Sequence, residues 1–448
     1  MINYNEIKLK VKPAQVLVIG FALVIILGAF LLSLPQVTNT GQSIGFLDAF
    51  FTSTSAVCVT GLVVVDTATT FNIVGRTVIM LLIFVGGLGI VTIGTAIFLI
   101  LGKRISFHNR MLIQESLNQF SLQGMVRLLK AVVVTTISII LIGSLILFVR
   151  FLSLDYPLGK ALYYALFHSV SAFNNAGFDL FGEYSSLTRF VDDTTINITI
   201  AALIILGGIG FSVIRDVVNY RKTKKLVLHT KIVLTTTLAL IIVGFLGVFF
   251  FEYNNPNTLG SLNIKGKILA SFFQSVSPRT AGFNTVDLTQ LHDTTKLLTI
   301  MLMFIGASPG STGGGVKTTT FVALALAMWT VIRGKDNIHV FKRRIEWHQI
   351  IRGFIIIVSA MFLILGMTMA LLYITGFSLM EVMFEVTSAF GTVGLSLGIT
   401  PHLPPAAKLL IALTMFMGRV GPLTLAFAIA QKKQGDLYKY PADKILIG

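Results

Sequence analysis

The sequence predicts an all-α polytopic membrane protein built from four tandem copies of one helical unit. Apolar residues make up 54% of the 448 residues and charged residues 12%, about half of the roughly 25% charged share of soluble proteins. The mean hydropathy of +0.84 agrees, because a soluble chain of this length must cover its surface with polar groups. A pattern of long apolar spans between basic segments recurs four times. These three observations exclude a water-soluble globular enzyme.

The basic residues are strongly segregated along the chain. Five segments contain 24 of the 35 Lys and Arg residues: the first dozen residues, 102–131, 215–231, 332–352 and the residues after Gln431. The positive-inside rule places these segments, and therefore both termini, in the cytoplasm. The net charge of +16 thus follows from membrane topology and does not indicate nucleic-acid binding. The single cysteine, Cys58, excludes an intrachain disulfide and a cysteine-based metal cage.

Each predicted unit contains two long apolar spans with a shorter, half-apolar segment between them. The eight expected spans are 14–35, 77–101, 129–152, 194–214, 231–252, 296–332, 351–375 and 406–430, and the short segments are 46–58, 158–173, 265–277 and 378–390. The short segments cannot cross a bilayer, which takes about 20 helical residues, so we expect them to re-enter from the outer side. The units are placed at 1–115, 116–222, 223–340 and 341–435, with a cytoplasmic tail at 436–448.

Each short segment leads into a motif that aligns across the four units without gaps. A Phe lies ten residues before a Gly every time, and the glycines are 116, 105 and 112 residues apart. The motifs end in Val59-Thr60-Gly61, Asn175-Ala176-Gly177, Thr280-Ala281-Gly282 and Thr392-Val393-Gly394. A single glycine of this kind is most simply a close helix contact, but four in register favour non-helical backbone beside protein or water. Glycine allows dihedral angles that turn successive carbonyls toward one axis, where they can replace the hydration shell of a potassium ion.

With these motifs the chain resembles the Trk/Ktr/HKT superfamily of potassium transporters, and most closely its KtrB-type membrane subunits. The resemblance covers essentially the whole chain. It implies a K⁺-channel-like arrangement of four membrane helix–pore helix–membrane helix units around a pseudo-fourfold pore, with potassium bound at the carbonyls of the four filter tripeptides. In that superfamily a Ser at the first filter position goes with sodium selectivity, so Gly61 implies potassium. Whether sodium is also carried or required stays open.

The resemblance also implies partners and a location. It implies a homodimer in the bacterial cytoplasmic membrane above a cytosolic ring of KtrA-type subunits that bind ATP or ADP. No cytoplasmic segment of this chain is long enough for a nucleotide-binding domain, which needs on the order of 100 residues. No enzyme activity and no cofactor within this chain are expected.

The second span of the third unit is interrupted by Pro309 and five glycines between Gly306 and Lys317. In a helix interior Pro costs about 3 and Gly about 1 kcal/mol relative to Ala, so the helix must break in mid-membrane, beside the pore. A phosphate-binding P-loop fits poorly, because Val316 follows Gly315 where that motif has Lys. The resemblance implies that this loop is an intramembrane gate. The expected gate residues are Gly306, Ser308, Pro309, Gly310, Ser311, Thr312, Gly313, Gly314, Gly315, Lys317 and Arg419.

Several charged residues lie within or near the predicted pore. Arg419 in the last span costs about 2.5 to 3.5 kcal/mol unless it is paired or hydrated; it either repels cations and bonds the gate loop or acts as a purely structural carbonyl clamp. We expect Arg279 and Glu385 to form structural salt bridges behind the filter. Carboxylates that follow the filter glycines would concentrate cations at the pore mouth, with solvated loop charges as the alternative: Asp66, Asp179, Glu183 and Asp287.

Two other functional classes are compatible with a membrane protein of this size. An alternating-access secondary transporter for another small substrate would also use broken helices, but it predicts two inverted halves, whereas the four units here run in parallel. A membrane enzyme or receptor has no catalytic triad, metal cluster or paired carboxylates in the sequence to recommend it.

Overall fold

The structure, a computed structural model, describes residues 13–90, 92–95, 125–421 and 424. The first two predicted units contain α1 (Pro13–Leu32), α2 (Phe46–Cys58), α3 (Thr67–Thr70), α4 (Ile73–Leu88), α5 (Met125–Leu152), α6 (Leu158–Phe173), α7 (Thr194–Gly208) and α8 (Phe211–Thr223). The other two contain α9 (Leu228–Glu252), α10 (Ile264–Val276), α11 (Asp293–Phe304), α12 (Thr318–Ile332), β1 (Ile338–Val340), β2 (Arg343–Ile345), α13 (Trp347–Ile374), α14 (Leu379–Gly391) and α15 (Pro405–Val420). The basic segment at 102–124 and the tail at 436–448 lie outside the described residues.

The first helix of each unit is long enough to cross a membrane. These helices are α1, α5, α9 and α13, of 20, 28, 25 and 28 residues, and each contains an apolar window that meets the criteria for a membrane span. Large apolar side chains such as Phe362 and Phe250 project outward from them. An apolar outer surface of this kind is stable only against lipid, so the chain is a multi-pass membrane protein.

The four short helices α2, α6, α10 and α14 lie inside the fold. Two of them coincide with the predicted segments 46–58 and 158–173, and the other two differ by a single residue at each end. Their second halves are almost completely buried. The start of α14 is fixed by a capping box, in which Ser378 and Glu381 each bond the backbone N–H of the other. This device satisfies two N–H groups that a helix start otherwise leaves unpaired.

The sequence predicts a continuous second span in the first, second and fourth units, but the second helix of each of these units is shorter than predicted. The helices α4, α7, α11 and α15 contain 16, 15, 12 and 16 residues, fewer than the about 20 that a span requires. Three of them stop at or just before a glycine of nearly constant conformation: Gly89 (φ 85°, ψ 135°), Gly210 (φ 95°, ψ 142°) and Gly421 (φ 89°, ψ 136°). Side chains with a Cβ rarely adopt these angles, so the glycines set the breaks.

The described elements that follow the second helices of the second and third units differ in direction and length. The axis of α8 is turned by 99° from that of α7. After the predicted loop, α12 runs to a two-stranded hairpin in which Ile338 faces Ile345 and Val340 faces Arg343. A small cluster of Ala327, Ile338, Ile345 and Ile350 packs the hairpin between α12 and α13.

Candidate functional site

The four predicted filter glycines share one backbone conformation. Their φ angles are 95° at Gly61, 70° at Gly177, 80° at Gly282 and 92° at Gly394. The residue two positions earlier is also left-handed in every unit: Val59, Asn175, Thr280 and Thr392, with φ between 51° and 74°. Positive φ at a β-branched residue is a genuine outlier, and strain of this kind persists only where the surrounding structure imposes it. The same alternation occurs four times, so the tripeptides form one structural element.

The four glycines close into a ring. A Cβ added at Gly61 would lie 2.5 Å from the carbonyl oxygen of Ala176, one at Gly177 would lie 2.9 Å from that of Ala281, and one at Gly282 would lie 2.5 Å from that of Val393. A Cβ added at Gly394 would collide with the carbonyl oxygen of Thr60. Each glycine therefore faces the residue before the glycine of the next unit, and the fourth returns to the first. A side chain at any of the four positions would require the neighbouring backbone to shift.

The backbone N–H groups of the ring are engaged outward, toward the short helices. Thr60 donates to Ser55 O, Ala176 to Ser171 O and Val393 to Ser388 O, each at 2.8 Å, and Ala281 donates to Ser277 O at 2.9 Å. The carbonyl oxygens of these four residues accept no hydrogen bond from any part of the chain that the structure describes, although the residues are fully buried. Buried carbonyls normally have a partner, and a desolvated cation is one kind of group that meets this requirement.

The ring forms the floor of a cavity of about 470 Å³, which we call the vestibule. All four glycines line it, together with the carboxylates of Asp66, Asp179 and Asp287. Glu183 does not line it and pairs with Arg189 at 3.1 Å instead. Burial, reinforced by the nearby charge of Asp66, raises the pKa of Asp179 to about 6. All three also accept hydrogen bonds from backbone N–H groups of the outer loops, so their role in concentrating cations stays a prediction.

The short helices aim their carboxyl ends at the ring. Each of α2, α6, α10 and α14 ends three to six residues before its filter glycine. The unpaired carbonyls at a helix carboxyl end carry a partial negative charge, which favours a cation beneath the vestibule.

The loop from Gly306 to Lys317 lies directly against the inner side of the ring. The N–H of Gly314 donates to Thr392 Oγ1 at 3.0 Å, and a Cβ at Gly313 would collide with Thr280 Oγ1. The loop is closed at its base by the bond from Gly306 N to Val316 O at 2.9 Å. The structure therefore brings the predicted loop and the predicted filter into contact.

The same loop is docked on the break in the second unit. Phe211 N donates to Gly310 O, and Ser308 N donates to Gly208 O, both at 2.9 Å. The Thr312 hydroxyl donates to Gly207 O at 3.1 Å. Pro309 O fills the space that a Cβ at Gly210 would need.

Arg419 joins the loop to the first unit. Its guanidinium donates to the carbonyls of Thr312 in the loop and Gly86 in α4, with Gly87 O at 3.3 Å. Lys317 instead bonds within the loop, to Gly313 O at 2.7 Å and Gly314 O at 3.3 Å. The side chain of Ser311 likewise stays local, donating to Ser308 O at 2.6 Å.

The prediction that Arg279 and Glu385 form salt bridges is wrong. Arg279 reaches Thr237 Oγ1 at 3.3 Å, and Glu385 accepts from the hydroxyls of Ser396, at 2.7 Å, and Thr400. Neither residue belongs to an ion pair within the described residues. Hydroxyl donors can satisfy a buried carboxylate without a cation. The two donors to Glu385 lie in the outer loop of the fourth unit.

Sequence reasoning missed the glycine pair that ends three of the second helices. The first glycine of each pair packs on the carboxyl end of the short helix in its own unit, since a Cβ there would collide with Val57 O, Phe173 O or Phe390 O. In the sequence the pairs are Gly86-x-x-Gly89, Gly207-x-x-Gly210 and Gly418-x-x-Gly421, and the first glycine of each lies 24 to 30 residues after a filter glycine.

A family model described as a cation transport protein, TrkH, matches residues 7–440. The chain belongs to the TrkH family of cation transport proteins. It is 45% identical to the Ktr system potassium uptake protein B of Bacillus subtilis (strain 168), over 97% of each chain. It is 41% identical to the protein of the same name in Vibrio alginolyticus, over 98% of this chain and 96% of that one. The potassium/sodium uptake protein NtpJ of Enterococcus hirae is 38% identical over 99% of each.

A solved structure agrees on the fold of this TrkH family member. The crystal structure of the potassium transporter TrkH from Vibrio parahaemolyticus superposes with a TM-score of 0.74 at 18% identity, covering 95% of this chain and 86% of that chain. The predicted family and the mostly helical membrane fold are confirmed. As a family of ion transporters, the TrkH proteins are not enzymes, which agrees with the expectation from sequence.

Proposed function

We propose that this TrkH family member takes up potassium across the bacterial cytoplasmic membrane through a filter made of Val59–Gly61, Asn175–Gly177, Thr280–Gly282 and Thr392–Gly394. The observation that carries the proposal is the closed ring of four glycines, whose preceding carbonyls are buried without a hydrogen-bond partner within the described residues. Carbonyl oxygens at such a ring can replace the hydration shell of a potassium ion. The relatives named as potassium uptake proteins support the same cargo.

The architecture that goes with this function has eight spans in four units, at 1–115, 116–222, 223–340 and 341–435. The short helices α2, α6, α10 and α14 then act as pore helices, and both termini are cytoplasmic. The parallel order of the four ring segments argues against an alternating-access carrier for another substrate, because that class is built from inverted repeats.

The loop from Gly306 to Lys317 is the gate in this proposal, with Arg419 as its latch. Support comes from the contacts of the loop with Thr280 and Thr392 directly below the ring. A cation that has passed the ring has to displace the loop before it reaches the cytoplasm. The hydrogen bonds of Arg419 then stabilise the closed position.

The expected partners are a second copy of this chain, the lipid bilayer and a cytosolic KtrA-type ring that binds ATP or ADP, with no nucleic acid. The word "system" in the names of two relatives supports a multi-component assembly. Docking is proposed for the basic segments 102–127 and 215–231 and the tail after residue 435. A third relative is named as a potassium/sodium uptake protein. This name supports sodium as a second transported or activating ion.

Ion flux into liposomes tests the filter. The purified protein is reconstituted, and potassium and sodium gradients are varied separately for the wild type and for Gly61→Ser, Gly177→Ser, Gly282→Ser and Gly394→Ser. Each serine places a side chain against a neighbouring carbonyl, so the potassium/sodium flux ratio should fall. Gly366→Ser is the matched control, since a Cβ at Gly366 meets nothing within 4 Å. An unchanged ratio in all four ring variants would refute the filter assignment.

A further inference from the structure

A second cavity, which shares no lining residue with the vestibule, lies at the predicted cytoplasmic ends of α9 and α13. This cavity, the basic cleft, is open and holds about 890 Å³. It is formed by the end of α8, the start of α9 and the β1–β2 hairpin. Its lining residues are Tyr220, Lys224, Lys225, Leu226, Val227, Leu228, Lys231, Phe341, Arg343 and Arg344.

The basic cleft holds five cations and no acid. None of its Lys or Arg side chains forms an ion pair with another described residue. Asp216 on α8 lies close by, but its carboxylate accepts from the backbone N–H of Val227 at 2.9 Å. Lys231 lies over the ring of Phe341, 5.7 Å from its centroid. Five like charges gathered around one cleft repel each other. The nearby carboxylate of Asp216 offsets at most one of them, so the described part of the chain leaves an excess of positive charge that favours an anion.

The membrane-facing surroundings of the cleft favour an anion that also carries apolar chains. The 99° turn at Gly210 lays α8 across the end of α7, the orientation of a helix that lies in the membrane interface. Val227, which lines the cleft, is 60% exposed, and Val218 on α8 is 68% exposed. Aliphatic side chains next to ammonium and guanidinium groups fit acyl chains next to a phosphate, and basic pockets between membrane helices on the cytoplasmic side are known to hold acidic lipid headgroups.

The turn of the hairpin adds a costly feature at the same place. Phe341 and Lys342 both have left-handed φ angles, 47° and 61°. Two-residue hairpin turns with this geometry normally use Asn and Gly. A bulky aromatic residue in this conformation is an outlier, and here it carries the ring that faces Lys231.

Both walls of the cleft are continuous with the loop below the filter. The first residue of α8, Phe211, donates its N–H to Gly310 O in the loop, and Lys224 of the cleft follows directly after the end of α8. On the other side α12 starts at Thr318, immediately after the loop, and leads to the hairpin. A ligand that fixes both walls therefore restrains both ends of the loop.

We propose that the basic cleft binds the phosphate headgroup of an acidic phospholipid of the cytoplasmic leaflet and thereby regulates the loop Gly306–Lys317. Binding itself is independent of the proposed function, whereas its effect on flux rests on that function. A lipid that joins α8 to the hairpin limits the relative movement of α8 and α12 and sets the equilibrium between loop positions.

Lipid retention is measured first, on the full-length protein in detergent. The probes are phosphatidylglycerol and phosphatidylcholine, read by native mass spectrometry. The cleft variant combines Lys224→Gln, Lys225→Gln and Arg344→Gln. The control variant removes the same charge from exposed residues of the predicted cytoplasmic segments that lie outside both the cleft and 215–231, and combines Lys130→Gln, Lys335→Gln and Arg352→Gln.

The wild type and the control variant should retain phosphatidylglycerol in preference to phosphatidylcholine. Each cation near a membrane surface contributes about fivefold in affinity, so the cleft variant should bind on the order of a hundredfold more weakly. Equal retention by the cleft variant and the control variant would overturn the proposal. Displacement of the lipid by soluble glycerol phosphate or ATP at comparable concentrations would also overturn it, in favour of a soluble-anion site.

Flux is measured second, in phosphatidylcholine vesicles with and without phosphatidylglycerol. Phosphatidylglycerol should change the wild-type and control fluxes by the same factor and leave the cleft variant unchanged. Lipid retention with no lipid effect on a measurable flux would overturn the regulatory part alone. Absence of ion flux under every condition, with retention intact, would count against the proposed transport and leave the lipid site standing.

Discussion

Replacement of Arg419 by alanine should release the loop below the filter. The guanidinium is the group that ties the loop, through Thr312 O, to the end of α4, through Gly86 O. Alanine at this position removes both bonds and changes no residue of the ring. The cation that would repel potassium below the filter is removed at the same time.

The size of the effect follows from the number of bonds that connect the loop to the latch. A hydrogen bond to a charged group contributes about 1.5 to 3 kcal/mol, and Arg419 makes one to the loop itself. Loss of this bond should shift the closed-to-open equilibrium by about 10- to 150-fold. Flux through a predominantly closed protein should rise by up to the same factor.

Potassium or rubidium uptake into liposomes measures this change. Arg419→Lys retains the charge but cannot reproduce the two-carbonyl geometry of a guanidinium, so a rise in this variant as well identifies the latch rather than charge repulsion. Lys408→Ala is the control on the same helix, because Lys408 pairs with Asp48 at 2.6 Å away from the loop. A correctly folded Arg419→Ala protein whose flux stayed low would refute the latch.

Three further outcomes are expected. Uptake should decline as the external pH falls through about 6, because Asp179 with its raised pKa takes up a proton there and the vestibule loses a negative charge. Asp179→Asn should remove this step, while His402→Gln, which changes the imidazole lining the same cavity, should leave it in place. Gly210→Ala should weaken the docking of the loop and raise basal flux, because its Cβ would lie 2.6 Å from Pro309 O; unaltered flux would contradict this. Glu385→Ala should lower the free energy of unfolding by about 1 to 3 kcal/mol, because it removes the acceptor of two hydroxyl groups. An unchanged unfolding midpoint would show that these hydrogen bonds do not contribute to stability.

The fourfold pattern could be predicted from sequence because it depends on the spacing of residues that are close together in the chain. A Phe ten residues before a Gly, at the end of a segment too short to cross the bilayer, is visible in each unit. The short helices accordingly lie within one residue of the predicted positions. The interrupted helix of the third unit was equally visible, because Pro309 and a run of glycines leave no helical alternative.

The breaks at Gly89, Gly210 and Gly421 could not be separated from ordinary glycines in membrane helices. A Gly-x-x-Gly pair is compatible with close helix packing, and its first glycine does pack in that way, against the end of a short helix. The distinction depends on the φ angle of the second glycine, which tertiary contacts impose. The partners of Glu385 were hidden for a related reason. Ser396 and Thr400 are brought to it by the course of the outer loop, and a buried carboxylate looks the same in sequence whether cations or hydroxyls satisfy it.

The composition of the loop follows from the space beneath a fourfold ring. Gly313 and Gly314 approach the side chains of Thr280 and Thr392, where a Cβ would collide or lie 2.5 Å from a hydroxyl oxygen, and Gly315 has a φ of 67°. The loop already contacts Thr280 and Thr392 below the ring, so a second loop of this kind would compete for the same space. Three second helices accordingly turn at a single glycine, and only the third inserts the residues that reach the axis. If this account is correct, Gly313→Ala should displace the loop from the ring and raise flux. Gly94→Ala, at a position with open space around the Cβ, should not. Equal flux in the two variants would mean that the glycine run does not adapt the loop to the pore.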